Sequence, residues 1–287
     1  MEASEPVLVA LPPERLERFR QALEREERRN GHPGALTGNV VFVDMAEAGR
    51  NPARLLAALQ GFLATGGDRP VRALGEPVWA SRRPEEIREC ELHEALLNTA
   101  IDPDLPVWLR CSFEVGALPD EVVEEAEHSH PLLTGPDGLR GSTRYDGLHH
   151  VQTLFRSPLP EPTVPVRSAT FGPDDLREVR ARVTREAVRA GLDATTRDDV
   201  VLAVHEVAVN STRHGGGAGR LRSWSTPAGA VWEIQDSGSI DDPLVGRVPP
   251  PLDAEGGRGV WIAHQLTDLM QIRSSDTGTT VRISSWR

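Results

Sequence analysis

His205-Glu206-Val207-Ala208-Val209-Asn210-Ser211-Thr212-Arg213-His214-Gly215-Gly216 closes a run in which Val200, Val201, Ala203, Val204, Val207 and Ala208 recur at helical spacing. Asp198 and Asp199 stand at the start of that run, where acids suit the positive end of a helix. On such a helix Glu206, Asn210 and His214 fall at i, i+4 and i+8, so a carboxylate, an amide and an imidazole share one face. An amide oxygen one turn from a carboxylate can ligate Mg²⁺ while the carboxylate polarises a hydroxyl. The plain alternative is a helix with a polar outer face.

Two later stretches favour the chemical reading. Trp232-Glu233-Ile234-Gln235-Asp236-Ser237-Gly238 is a strand ending in Asp-x-Gly, a carboxylate edge suited to a purine amine. Glu255-Gly256-Gly257-Arg258-Gly259-Val260-Trp261-Ile262-Ala263 runs a glycine-rich loop into a helix, offering backbone N–H groups and a positive helix end to phosphate. Asp-x-Gly alone is common in turns; the order Glu-x-x-x-Asn, Asp-x-Gly, Gly-Gly-x-Gly is far more specific. That order resembles the ATP-binding (Bergerat) fold shared by histidine kinases, gyrase, the Hsp90 chaperone and MutL. Asn210-Ser211-Thr212-Arg213-His214-Gly215-Gly216 and Gly256-Gly257-Arg258-Gly259 are most similar to the anti-sigma-factor serine kinases within it.

The resemblance covers residues 170–287 and implies ATP and Mg²⁺ as cofactors. It makes Asn210 the Mg²⁺ ligand and Glu206 the residue that polarises an acceptor hydroxyl. It places Asp236 on the adenine amino group, with Gly238 giving the base room and Thr279 nearby. Gly257 and Gly259 would wrap the phosphates, with Arg258 as charge partner; Arg213 and His214 would stand on the phosphate side. One departure is the lid, glycine-rich in the family and carrying Pro249-Pro250-Pro251 here.

Composition bounds the rest. A chain of 287 residues suggests two domains. A formal charge of −11 argues against nucleic acid or an anionic membrane surface as the main partner. All 32 basic residues are arginine, which excludes a P-loop lysine and Schiff-base chemistry. Cys90 and Cys111 form no disulfide framework, and no signal peptide or spanning apolar run is visible, so the expectation is a soluble, cytoplasmic chain.

Strand patterns at residues 5–11, 39–44, 71–74 and 107–111 alternate with helical ones at 13–29, from 51, 84–97 and 120–128, which predicts a parallel sheet covered on both faces in residues 1–130. Residues 131–168 are rich in Pro and Gly and read as an interdomain linker. In residues 169–287 two helices, 174–190 and one capped by Thr195 or Thr196, precede a hairpin, a loop over 239–254, a helix from 260 and a second hairpin. This predicts an α/β two-layer sandwich on a mixed sheet.

Asn51-Pro52-Ala53-Arg54, Gly75-Glu76-Pro77-Val78-Trp79 and Glu91-Leu92-His93-Glu94-Ala95-Leu96-Leu97-Asn98 resemble the MEDS-type sensory domain. That pattern has a further strand and helix before residue 5, so the strand at Val7 is expected at an unprotected edge. Glu76, Trp79, His93 and Glu94 are candidates to line a pocket at the strand ends. Cys90-x-x-His93 is half a zinc site without a second half. His149 and His150 read as solvated, and His264 as a surface or packing residue.

The resemblance to both parts implies a sensory α/β domain fused to an anti-sigma-type serine kinase domain. Its partners would be a sigma factor and a small antagonist protein phosphorylated on serine, and relatives of this domain commonly pair as homodimers. Three alternatives stand beside it: an ATP-gated partner-binding regulator without transfer, a degenerate sensor histidine kinase, and a metabolic enzyme acting through its first domain.

Overall fold

The computed structural model describes residues 5–31, 34, 37–67, 69–136, 138–251 and 257–287. The chain divides into two compact units, residues 1–147 and 148–287.

The first unit is a four-stranded parallel sheet of β1 (Val7–Leu11), β2 (Val40–Asp44), β3 (Val71–Gly75) and β4 (Val107–Cys111), in the order β2-β1-β3-β4. Parallel neighbours need crossovers, and helices supply them: α1 (Pro13–Asn30), the short α2 (Met45–Ala48) with α3 (Ala53–Gly66), and α4 (Pro84–Ala100). Prolines at the first turns of α1 and α4 are pre-set for helix and lack an N–H that would go unpaired there. Val9 and Leu11 pack with Leu16 of α1, and Ala10 with Met45 and Leu55. Each such buried Val or Leu contributes roughly 1.5–3 kcal/mol. α5 (Asp120–Ser129) closes this cover, with Val78, Cys90 and Leu118 buried against Val122 and Val123. β1 is an inner strand, paired to β2 and β3, so the unprotected edge expected at Val7 is not there; β2 and β4 are the edges.

The stretch expected as linker is structured. Residues 132–135 and 138–141 form a small hairpin, β5 and β6. The amphipathic helix α6 (Gly147–Arg156) follows, with His150, Val151 and Phe155 buried. His150 is therefore not solvated, although His149 is exposed. Proline and glycine content concealed α6, whose apolar residues span only three turns.

The second unit is a five-stranded sheet, β10-β11-β9-β8-β7, formed by β7 (Arg167–Phe171), β8 (Gly219–Thr226), β9 (Gly229–Asp236), β10 (Leu269–Ser275) and β11 (Gly278–Trp286). Every neighbouring pair is antiparallel, so the sheet is not mixed. β9 and β10 run the same way, but β11 lies between them. β7 is an edge strand that sequence pattern did not reveal, because four of its five residues are exposed. α7 (Leu176–Arg189), α8 (Ala194–His214) and α9 (Arg258–Leu266) form the helical layer. α8 is capped by Asp193, whose carboxylate accepts from the N–H groups of Thr195 and Thr196, rather than by either threonine.

Two buried carboxylates of this unit are held by hydrogen bonds, as desolvation demands. Glu186 of α7 accepts from Ser223 Oγ (2.8 Å), Arg182 Nε (3.1 Å) and Trp232 Nε1 (3.0 Å), fastening the helix to β8 and β9. Glu233, fully buried, lies between Arg222 and Arg282 at 2.7 Å each. The same two arginines hold the approach to β7, through Glu161 and the carbonyl of Pro160.

Candidate functional site

The inner stripe of α8, with Val200, Ala203, Val204, Val207, Ala208 and Ser211 buried, turns the i, i+4, i+8 row partly outward. Glu206 and Asn210 are half-exposed; Arg213 and His214 are exposed. None of these four side chains makes a hydrogen bond or ion pair to the described residues. They are available for a ligand.

α9 crosses α8 at Glu206. A Cβ on Gly259 would lie 2.6 Å from Glu206 Oε2, so glycine is what lets the loop backbone reach the carboxylate. Gly257 precedes α9 in the left-handed region at φ 79°, which glycine adopts without steric cost. Arg258, exposed, reaches back to the carbonyl of Pro251 at 3.4 Å. Gly257, Arg258 and Gly259 thus form the N-terminal turn of α9, whose N–H groups have no intrahelical acceptor and suit an anion. Glu255 and Gly256 lie outside the described residues. The loop before α9 is anchored by packing: Arg247 is buried, and a Cβ on Gly246 would meet Val260 and His264. His264 is accordingly a fully buried packing residue of α9 rather than a surface one.

Asp236 ends β9 inside a cradle of glycines. A Cβ on Gly215 would sit 2.3 Å from its Cγ, and one on Gly238 would sit 2.6 Å from the carbonyl oxygen of His214. Ser211 Oγ donates to Asp236 Oδ2 (2.5 Å) and Gly238 N–H to Oδ1 (2.9 Å), so both carboxylate oxygens are oriented. The turn beyond is fixed by a relay. Ile240 N–H donates to Ser274 Oγ (2.7 Å), Ser274 pairs with Thr279 Oγ1 (2.9 Å), and Thr279 donates to the Gly238 carbonyl (2.8 Å). Thr279 lies opposite Asp236 in the β9–β11 register and is buried. Its hydroxyl is engaged with the Asp-x-Gly turn, which positions Asp236.

The structure thus brings Glu206 against Gly259 at the α8–α9 crossing, with Asn210 one turn further along α8. Asp236, Gly238 and Thr279 gather at the C-terminal end of β9, beside the end of α8. Ser211 and Ser274 were missed as site residues. The available signal for Ser211 was a hydroxyl on the inner stripe, one residue past Asn210, where an apolar side chain would otherwise be expected. His205, beside Glu206, has its pKa lowered by burial and by the Arg180 charge, and is held neutral more readily than an ordinary histidine.

In the first unit the expected pocket residues separate. His93 and Glu94 line an apolar cavity of about 80 Å³ beneath the sheet, with Leu55, Leu59 and Leu97. Glu76 is instead buried against Arg15 at 2.9 Å, its pKa raised chiefly by desolvation. Trp79 stacks under Arg82, whose guanidinium carbon is 4.1 Å from the ring centre. Cys90 donates to the Pro77 carbonyl (3.2 Å), and burial pushes its pKa up to about 12. The Cys90-x-x-His93 half-site is a packing feature.

Residues 1–131 match the family model described as MEDS, the methanogen/methylotroph, DcmR sensory domain. Residues 169–285 match that of the histidine kinase-like ATPase domain. The chain is a fusion of these two domains. Among solved structures it is similar to the RsbU and RsbW domains of Rv1364c from Mycobacterium tuberculosis. That likeness has 19% identity and a TM-score of 0.33, over 43% of this chain and 32% of that one. The chain therefore covers about a third of that structure's chain. No curated protein matches it.

Proposed function

We propose that residues 169–287 bind ATP with Mg²⁺ and transfer phosphate to a serine of a small antagonist protein, a sigma factor being the other partner. ATP would supply the phosphoryl group, and Mg²⁺ the neutralising charge. The residues present fit these groups: an oriented carboxylate in a glycine cradle, the positive N-terminal end of α9, and an unengaged amide on α8. Asn210 would hold the metal, and Asp236 with Gly238 the adenine edge. Gly257, Arg258 and Gly259 would hold the phosphates, with Arg213 and His214 at their outer side. Thr279 acts through the turn it fastens.

The observation that carries a transfer role is the placement of Glu206. Its carboxylate, without a hydrogen bond to the described residues, abuts the backbone of Gly259 and shares a helix face with Asn210. From there it would accept the proton of a serine hydroxyl brought to the phosphate end of the site. The serine-kinase and sigma-factor assignment is further supported by the Asn-Ser-x-Arg-His-Gly-Gly and Gly-Gly-Arg-Gly motifs.

A general base contributes about 10²–10⁴-fold to rate. Glu206→Gln should therefore bind ATP as the wild type does and lose phosphate transfer by that factor. Asn210→Ala should lose the Mg²⁺-dependent part of binding as well. Calorimetry with Mg-ATP and radiolabel transfer to the antagonist encoded nearby measure the two. Equal transfer by wild type and Glu206→Gln would remove the base role. ATP binding without transfer by the wild type would leave a nucleotide-gated binder, the reading favoured by a loop that packs onto α9 at Gly246.

A further inference from the structure

Glu94 of α4, Cys111 at the end of β4 and His130 just after α5 converge although no two are near in sequence. One ligand atom from each lies within 4.8 Å of the other two. His130 Nε2 is 2.9 Å from Glu94 Oε2, and the Cys111 sulfur lies within 4.8 Å of both groups. Glu94 is buried; Cys111 and His130 are partly buried. We propose that this trio is a zinc site of the first domain, with three protein ligands and one open position.

The chemistry of the set selects the ion. A thiolate, an imidazole and a carboxylate are the three ligand types that Zn²⁺ takes, and hard ions such as Mg²⁺ do not use sulfur. Ligand distances of about 2.0–2.3 Å in a tetrahedron require donor atoms about 3.5 Å apart. The His130–Glu94 pair must open by roughly half an ångström, and no pair has to close by more than about one, within side-chain adjustment. The imidazole is already oriented. Its Nδ1 lies 2.7 Å from the Ala126 carbonyl, which can only accept, so Nδ1 carries a proton and Nε2 is turned to the cluster. A histidine ligand whose other nitrogen donates to a backbone carbonyl is the usual outer-shell arrangement at a metal. Zn²⁺ would take the place of the Cys111 thiol proton and of any proton held between His130 and Glu94, both passing to solvent. Carboxylate and thiolate together would balance its two charges.

All three residues also line a cavity of about 280 Å³, with Leu97, Asn98 and Leu109 among its walls. The fourth position of the metal would open into it, leaving room for water or a small anionic or thiol ligand. In a sensory domain that is where a signal molecule could be read by direct coordination.

The test uses the full chain, stripped of metal and titrated with Co²⁺ and then Zn²⁺. One Co²⁺ per chain should bind with thiolate-to-cobalt charge-transfer absorption and be displaced by Zn²⁺. Cys111→Ser should abolish the band, Cys90→Ser should keep it, and His130→Gln should weaken binding by at least about 100-fold, beyond what losing an outer-shell partner costs. Cobalt bound without the band, a band surviving Cys111→Ser, or no binding by the folded wild type would each overturn the site. Should Cys111→Ser fail to fold, alkylation of wild-type Cys111 decides. Zn²⁺ should slow it at least tenfold, and an unchanged rate would overturn the proposal.

Discussion

Ser211→Ala and Asp236→Asn change two ends of one hydrogen bond and should fail in different ways. Ser211 Oγ is 2.5 Å from Asp236 Oδ2 and is buried, while the glycine cradle leaves the carboxylate no second direction to turn. Alanine at 211 leaves a charged oxygen without its donor. Hydrogen bonds to charged groups contribute about 1.5–3 kcal/mol. For a unit of this size the loss should lower the melting temperature by roughly 5–10 °C. Asparagine at 236 is different. Its amide nitrogen can donate to Ser211 Oγ, and its oxygen can still accept from Gly238 N–H, so both native contacts have a replacement. Melting should shift by less than about 3 °C, near 1 kcal/mol. ATP affinity should nevertheless fall at least tenfold, about 1.4 kcal/mol, because an amide is a weaker acceptor for the adenine amine than a carboxylate. Differential scanning calorimetry and titration calorimetry with Mg-ATP, run on both variants, read the two effects separately. A Ser211→Ala protein that melts with the wild type would refute the orienting role of the hydroxyl. Full ATP affinity in Asp236→Asn would refute the adenine contact.

Gly259→Ala places a methyl 2.6 Å from Glu206 Oε2, and the flexible carboxylate must swing away. Phosphate transfer should fall about 100-fold, as misplacement near 1 Å does, with little change in melting; unaltered transfer would separate Glu206 from the chemistry. His205 has a folded pKa below the ordinary 6.5, so unfolded chains take up its proton first as pH falls. Its contribution to stability is complete above that pH, declines as pH falls toward the folded value and is constant below. Urea midpoints from about pH 7.5 to about pH 5 should fall less steeply in His205→Gln than in the wild type, and parallel curves would contradict the shift. Cys90, with its pKa pushed up to about 12, should resist a thiol reagent at neutral pH until the first unit unfolds, which mass spectrometry of labelled peptides can follow.

Strand order aside, much of this architecture was legible because periodicity and caps agree with tertiary packing in most elements. β1 to β4 and their crossover helices came from apolar runs separated by Pro-initiated helical stripes. What escaped has definite causes. β7 shows no apolar pattern because it is an exposed edge, and α6 is short and lies among prolines. The neighbour of β9 depends on which hairpin joins it, which local sequence does not encode. At the candidate site, glycines and chemically distinctive residues mark Glu206, Asn210, Asp236 and Gly259 directly. Ser211 and Ser274 act through hydrogen bonds across 25 and 5 residues; a hydroxyl on an otherwise apolar stripe marks Ser211 but does not say which residue it meets. The Glu94–Cys111–His130 cluster is the extreme case, assembled from three elements with no spacing motif at all.

The position of β11 between β9 and β10 constrains how the second sheet can be made. Among the described residues β10 pairs with β11 alone, and β11 pairs with β9 from Thr279 opposite Asp236 to Trp286 opposite Gly229. During synthesis β7, β8 and β9 can join as soon as they emerge, but β10 has no place in the sheet until residues 278–286 follow it. Until then one edge of β9 stands open with the apolar Val231 and Ile234 among its residues, a template for pairing with another chain. Sheet closure is thus tied to the arrival of the last strand, and the Thr279 relay that fastens the turn after Asp236 forms only at that moment. A nascent chain stalled before residue 278 would hold Asp236 beside α8 without the relay that fastens its turn, and with an open sheet edge for chaperones to meet.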